Sequence, residues 1–208
     1  MDDEIRLYVV SPIETNCYAY ISDGSCMVVD PGGSGAEIAA DLAGVKTVAI
    51  VCTHGHGDHV GGVAALKAAT GAPYLIHAAD AEAARHSSQI PEWGICFDDD
   101  APEPDALLAE GDVVSVGTAR FTVMETPGHT PGCICLVGSG SAEGVVFTGD
   151  TLFAGSRGRT DLDGGDEATI MASLARMKRE LPSEAAVYPG HGPSTTMARE
   201  RAVNPFLR

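Results

Sequence analysis

The order of hydrophobic runs predicts an α/β protein built from two β-then-α halves, packed sheet to sheet with helices outside. Three observations carry this. Apolar and β-branched runs of strand length recur in both halves. In each half paired strands come first and amphipathic, helix-length segments follow. Glycine- and proline-rich turns separate the runs. No clear internal sequence repeat accompanies the pattern.

Strands are expected over 5–10, 16–22 and 25–29, with Ser22-Asp23-Gly24 turning between the last two. Asp30-Pro31-Gly32-Gly33 breaks the chain before a short helix over 36–42. Residues 47–52 form a continuous β-branched and apolar run, the pattern of a strand buried on both faces. A helix over 61–70 is stopped by Gly71-Ala72-Pro73, and a strand over 74–76 and a helix over 78–86 follow. Residues 87–110 read as a solvated surface excursion, with Pro91, Pro102 and Pro104, and with Trp93 and Phe97 tacking it down. Its Asp98-Asp99-Asp100 run lacks EF-hand spacing and reads as loop charge. Strands resume over 113–116, 121–125, 133–137 and 145–148, before a long loop over 149–165. The best helix pattern is 167–180, with Ile170, Leu174 and Met177 on one face and Arg176, Lys178 and Arg179 near its C-terminal end. A strand over 185–188 and a helix over 194–202 close the chain.

Composition narrows the function. The 208 residues are 44% hydrophobic and 20% charged, too apolar for a disordered chain. Twenty-nine Asp+Glu against 13 Lys+Arg give a net charge of −16, which disfavours nucleic acid and anionic membranes as partners. Met1-Asp2-Asp3-Glu4 lacks the features of a signal peptide, and apolar runs such as 48–52 are far too short to span a bilayer. Cys17, Cys26, Cys52, Cys96, Cys133 and Cys135 form no CxxC pair and read as free thiols of a reducing compartment, so a cytoplasmic location is expected.

The chemistry concentrates in His54-Gly55-His56-Gly57-Asp58-His59, directly after a buried strand. Imidazole nitrogens and carboxylate oxygens are ligands for zinc and its neighbours. The glycines at 55 and 57 are read as permitting tight turns that aim alternate side chains at one point. Three later runs end in the same way, in a glycine-flanked residue of ligand type: His129 in Pro127-Gly128-His129, Asp150 in Gly149-Asp150-Thr151 and His191 in Pro189-Gly190-His191. Five histidines and two aspartates exceed the needs of a closed structural zinc site and fit two metals with open positions. His77 and His86 lack such flanks and read as structural or exposed. Cys52, Cys133 and Cys135 read as strand residues rather than ligands or nucleophiles.

The His-x-His-x-Asp-His run, followed in order by His129, Asp150 and His191, resembles the metallo-β-lactamase-fold hydrolase superfamily. Asp30, ending the third strand, matches that family's first aspartate. The resemblance covers nearly the whole chain and implies a four-layer αββα sandwich with metals at one edge of the sheets. Thr15-Asn16-Cys17-Tyr18, the run from Thr148 to Phe153, Gly158-Arg159-Thr160-Asp161 and Asn204-Pro205-Phe206-Leu207 are similar to the short glyoxalase II-like branch, the hydroxyacylglutathione hydrolases. This implies that His54, His56 and His129 hold one metal, that Asp58, His59 and His191 hold a second, and that Asp150 bridges. Full-length glyoxalase II enzymes add a C-terminal helical domain that grips glutathione. This sequence stops soon after His191, so one catalytic domain over 1–208 is expected.

The implied reaction is hydrolysis of a small-molecule thioester such as S-lactoylglutathione. Two divalent cations, zinc foremost with iron or manganese as alternatives, share a water that is acidified to hydroxide near neutral pH. Asp58 doubles as ligand and acceptor for the water's proton. Asp30 and Thr53 orient ligands, although Asp30 before Pro-Gly also suits a simple turn. Arg157 and Arg159 are candidate substrate contacts, Arg159 standing where the family often places a carboxylate anchor. The competing readings are a persulfide dioxygenase-like enzyme with one iron and another ester or lactone hydrolase of the same fold. The charge is uneven: residues 1–120 carry 5 Lys+Arg and 19 Asp+Glu, whereas residues 157–208 carry 8 and 7, a relative positive bias where an anionic substrate would dock. Oligomeric state is not readable from the sequence.

Overall fold

A computed structural model describes residues 3–90 and 94–208. Its strands, in chain order, are β1 (Glu4–Val10), β2 (Thr15–Ser22), β3 (Ser25–Val29), β4 (Lys46–Val51), β5 (Tyr74–His77), β6 (Gln89–Ile90), β7 (Ile95–Cys96), β8 (Ala106–Leu108), β9 (Val113–Val116), β10 (Ala119–Glu125), β11 (Ile134–Gly140), β12 (Val145–Gly149), β13 (Leu152–Phe153), β14 (Ser156–Arg157), β15 (Ala186–Pro189) and β16 (Thr195–Thr196). The helices are α1 (Gly35–Asp41), α2 (Gly57–Val60), α3 (Val63–Thr70), α4 (Ala81–Ala84), α5 (Glu167–Glu180) and α6 (Met197–Val203), with a final 3-10 turn, Pro205–Leu207.

Two six-stranded mixed sheets form the centre. One has the order β1-β2-β3-β4-β5-β8 and the other β16-β15-β12-β11-β10-β9. Each repeats one device. An antiparallel meander (β1-β2-β3, then β10-β11-β12) is followed by a helical crossover (α1, then α5) into a parallel strand (β4, then β15). The two β-then-α halves expected from the sequence are therefore visible in the topology.

Side-chain alternation creates the layers. On the inner face of the first sheet, Tyr18, Tyr20, Met27, Val29, Ala49 and Val51 meet Val116, Phe121, Val123, Ile134, Leu136 and Phe147 of the second. The intervening residues, such as Cys17, Ala19, Cys26, Val28 and Ile50, face outward and pack with Ile38, Val63 and Leu66 of the helices. On the far side Cys135, Val146 and Val187 pack beneath Ile170, Leu174 and Met177 of α5. This is the αββα sandwich. Burying an aliphatic side chain on these faces contributes about 1.5–3 kcal/mol.

Four expectations are corrected. The helix expected over 61–70 is α3 and starts only at Val63, because the Gly62 amide donates to Pro31 O at 2.7 Å, and a separate short helix, α2, precedes it. The helix expected over 78–86 is the four-residue α4. The stretch 87–110 is not wholly an excursion. β8 pairs in parallel with β5 and completes the first sheet, while Asp98 and Asp100 accept backbone hydrogen bonds from Ser34 and Ser88. The loop over 149–165 contains the hairpin β13–β14. Phe97 is buried as expected; Pro91 and Trp93 lie outside the described residues. Among the described residues no helix is long and apolar enough to cross a membrane.

Candidate metal centre

Strand ends from both sheets deliver the site. The loop after β4 and the first turn of α2 carry His54, His56, Asp58 and His59. The β10–β11 connection carries His129, the end of β12 presents Asp150, and the loop after β15 carries His191. Ligand atoms of His54, His56 and His129 lie within 4.8 Å of one another, as do those of Asp58, His59 and His191 and those of His54, His59 and Asp150.

His56 Nδ1 is 2.9 Å from His129 Nε2. Asp58 Oδ2 is 3.1 Å from His191 Nε2 and 3.2 Å from His59 Nε2. Asp150 stands between the two groups, with Oδ1 3.4 Å from His59 Nε2 and Oδ2 3.6 Å from both His129 Nε2 and His191 Nε2. The donor set fits a metal centre. His54 Nε2, His59 Nε2 and Asp150 Oδ1 are buried and make no hydrogen bond. Buried polar atoms are ordinarily paired. Nitrogen and carboxylate donors left open together form a cation-binding arrangement.

Outer contacts aim these donors. Asp30, at a left-handed φ of 53°, accepts from Thr53 N at 2.7 Å and Thr53 Oγ1 at 2.8 Å, and its Oδ2 lies 3.1 Å from His59 Nδ1. Thr53 Oγ1 is in turn 3.1 Å from His54 Nδ1. His129 Nδ1 lies 2.8 Å from Arg159 O, so its proton sits there and Nε2 is left as the donor facing the cluster. Asp30 and Thr53 thus lie directly behind the His59 and His54 rings.

Burial and charge act in opposite directions across the cluster. Burial, then the neighbouring histidines, hold His54 well below the usual imidazole range, and the same causes lower His56 to about 4. At His59 burial disfavours the cation, but Asp58, Asp150 and Asp30 outweigh it and raise the group well above its ordinary value. His191 is raised in the same sense, burial being outweighed by Asp58 and Asp150. Burial pushes Asp58 up, but His59 and His191 prevail and keep its carboxylate ionised.

Some residues behave differently from the expectation. Gly57 does not adopt a left-handed turn; a Cβ there would lie 2.0 Å from Ser87 O, so close packing selects glycine. Arg157 has its guanidinium on Glu167 at 2.5 Å and Gly158 O at 2.6 Å, and stacks over the Phe206 ring at 4.8 Å. It braces its own loop while also lining the cleft. Arg159 pairs with Asp161 at 2.6 and 2.7 Å and lines the cleft. His77 contacts Glu125 and His86 contacts Glu82, both away from the cluster. Burial raises Cys52 and Cys133 and pushes Cys135 up to about 12, consistent with inert thiols.

Three site residues had no role in the sequence reading. Thr15 Oγ1 donates to Asp58 Oδ2 at 2.8 Å. Asn16 Nδ2 donates to Pro189 O and Gly192 O, bracketing His191. Asp80 ties together two ligand loops. Thr15 and Asn16 stood in a recognised motif, which was the available signal. The cluster forms the floor of a cleft of about 1030 Å³, walled by Ile13, Ala79, Ala83, Phe153 and Leu162, with Arg159 and Asp161 on its polar side.

Residues 10–191 match the Metallo-beta-lactamase superfamily, and the chain belongs to that superfamily. Within it the chain is a metallo-hydrolase. It is 35% identical to the "Probable metallo-hydrolase YqgX" of Bacillus subtilis, over 97% of this chain and 96% of the relative. It is 31% identical to the "Hydroxyacylglutathione hydrolase GloC" of Haemophilus influenzae, over 98% and 97%. Among solved structures it is similar to the BLEG-1 B3 metallo-beta-lactamase (TM-score 0.88, 34% identity, 98% and 99% covered). It is also similar to TTHA1623 in a di-iron-bound form (TM-score 0.86, 35% identity, 97% and 100% covered).

Proposed function

We propose that this metallo-hydrolase cleaves a small-molecule thioester of the hydroxyacyl-thiol type, using two divalent cations. The observation that carries the reading is the placement of Asp150 between two complete three-residue groups at the floor of an open cleft. Likeness to a hydroxyacylglutathione hydrolase supports the substrate class. His54, His56 and His129 would hold one cation, Asp58, His59 and His191 the other, and Asp150 both. Cations so held supply Lewis acidity and bring the pKa of water toward about 7. Asp58, ionised and buried, offers a carboxylate acceptor for a proton, and Thr15 fixes its orientation through Oδ2. Asp30, Thr53 and Arg159 O hold the imidazoles in their donor orientation. The apolar wall would take the carbon chain of the substrate, and Arg159 would meet an anionic part of it. Zinc is the first choice of metal, and the di-iron form of a similar structure makes iron the alternative.

Metal analysis of the purified protein, paired with assays on S-lactoylglutathione and on glutathione persulfide, tests this. The expected result is about two metals per chain and thioester cleavage. One iron with oxygen uptake on the persulfide would replace it with an oxidoreductase reading.

A further inference from the structure

Asp80 is 2% exposed and plays no part in the reading above. It sits at the N-cap position of α4, yet its side chain does not cap that helix. Asp80 Oδ2 instead accepts from Gly55 N at 2.9 Å and from Thr130 Oγ1 at 2.6 Å, and Oδ1 accepts from Gly132 N at 2.7 Å. Gly55 separates His54 from His56, and Thr130 follows His129. The first loop leaves one sheet and the second joins two strands of the other. One buried carboxylate therefore joins the two loops whose imidazoles face each other at 2.9 Å.

The surrounding glycines fit the same device. A Cβ on Gly55 would come 2.8 Å from Asp80 O, and one on Gly132 would come 2.6 Å from Asp80 Cγ and Oδ1. Both positions are kept bare by the approach of this residue. The chemistry also requires a carboxylate. All three partners donate, and an ionised carboxylate is acceptor-only on both oxygens. An amide at this position would turn its NH₂ onto an N–H or a hydroxyl. Two imidazole lone pairs held face to face repel until a cation or proton lies between them, so the span needs an outside clasp.

We propose that Asp80 is a positioning residue for the metal centre: it fixes the separation of the His56 and His129 loops and thereby the affinity of the His54, His56 and His129 group for a divalent cation. The inference rests on the metal-dependent reading above.

The test compares wild type, Asp80→Asn, Thr130→Val and the control Asp105→Asn. Asp105 accepts from Tyr74 N at the start of β5, at the other end of the strand that leads to Asp80. Zn²⁺ affinity is measured against a chromophoric chelator, Co²⁺ loading by visible absorbance, and amide exchange on the metal-free proteins. Asp80→Asn is expected to weaken one of two binding steps by about 10- to 100-fold, and Thr130→Val by a few-fold. Asp105→Asn should change neither. In metal-free Asp80→Asn the Gly55 and Gly132 amides should exchange faster, a readout independent of activity. Wild-type affinity in a folded Asp80→Asn protein, or an equal loss in Asp105→Asn, overturns the proposal. If Asp80→Asn does not fold, wild-type affinity in Thr130→Val overturns it instead. A wild-type protein that binds neither cation sinks the metal-centre reading itself, which separates that failure from the failure of Asp80.

Discussion

Two buried aspartates flank the ligand loop, and they hold it in different ways. Asp30 works within one sheet. It ends β3 and grips the residues leaving the neighbouring strand β4, through Thr53 and His59. Asp80 works between the sheets, gripping Gly55 on one side and the His129 loop on the other. The first fixes the orientation of rings on one loop; the second fixes the distance between two loops. A sandwich that builds its centre from the edges of two sheets needs both, since sheet packing alone does not set a distance to a few tenths of an ångström.

The largest effect should come from removing what both aspartates serve. His54→Ala and Asp58→Ala should each lower turnover by at least about 10³-fold, the scale lost when a group acting in the transition state is removed. Circular dichroism should show a folded protein, because the sheet cores that surround the loop are untouched. Activity near wild type in either variant would break the comparison at its root.

The next effect separates the flanks. Asp30→Ala leaves the buried Thr53 amide without its partner, at a cost of about 1–3 kcal/mol read by thermal melting. It should also weaken the metal step that depends on His59. Asp80→Asn should act on the step that depends on His56 and His129. A two-step Zn²⁺ titration of each variant tests this. If both variants weaken the same step by the same factor, the two flanks are one unit rather than two.

Acidification should discriminate the same two groups without mutation. Protons compete with metals for imidazole nitrogen. In the metal-free protein His59 and His191 are raised, as their carboxylate neighbours outweigh burial, so they keep their protons to higher pH. His56 is lowered to about 4 and His54 is held well below the usual imidazole range, as burial and the neighbouring histidines oppose protonation. As pH falls from neutral, the Asp58, His59 and His191 group should therefore lose metal first. Metal stoichiometry measured in chelator-buffered solutions at stepped pH is the check; loss in the opposite order would reverse the assignment.

Legibility in the sequence follows the same division. Strands β2, β3 and β4 are buried on both faces and so read as near-continuous apolar runs, which made them legible in the sequence. His54 to His59 share one short window, and His129, Asp150 and His191 each follow a strand-like run, so the cluster of candidate ligands could be picked out before its geometry was known. Asp30 was legible only through the resemblance, since an aspartate before Pro-Gly also suits a simple turn, and its partners Thr53 and His59 lie beyond the end of β4. Asp80 was not. It precedes a helix like any N-cap, and its partners Gly55 and Gly132 lie 25 and 52 residues away, on loops that only the packed sheets bring near. β8 was hidden because three residues after two prolines carry no period of their own. Arg157 reads as a candidate substrate contact, and it lines the cleft, but its contacts with Glu167 and Phe206 come from the folded loop and could not be read from the sequence.

The smallest expected effect concerns the loop that also holds His129 from its far side. Arg159 serves that loop twice: its carbonyl fixes His129 Nδ1, and its side chain lines the cleft paired with Asp161. Arg159→Ala removes only the second role. Metal affinity should stay at the wild-type value, since the carbonyl remains, and KM for an anionic thioester should rise by about 5- to 10-fold with kcat nearly unchanged. Stability should hardly change, because exposed ion pairs contribute little. Arg157→Ala should show the reverse, with a lower melting temperature from the lost Glu167 and Phe206 contacts and a smaller change in KM. Measuring KM, kcat and Tm for both variants tests whether Arg159 meets substrate while Arg157 holds the loop. If Arg159→Ala loses metal, the side chain as well as the backbone supports His129, and the His129 loop is clasped from both sides by side chains.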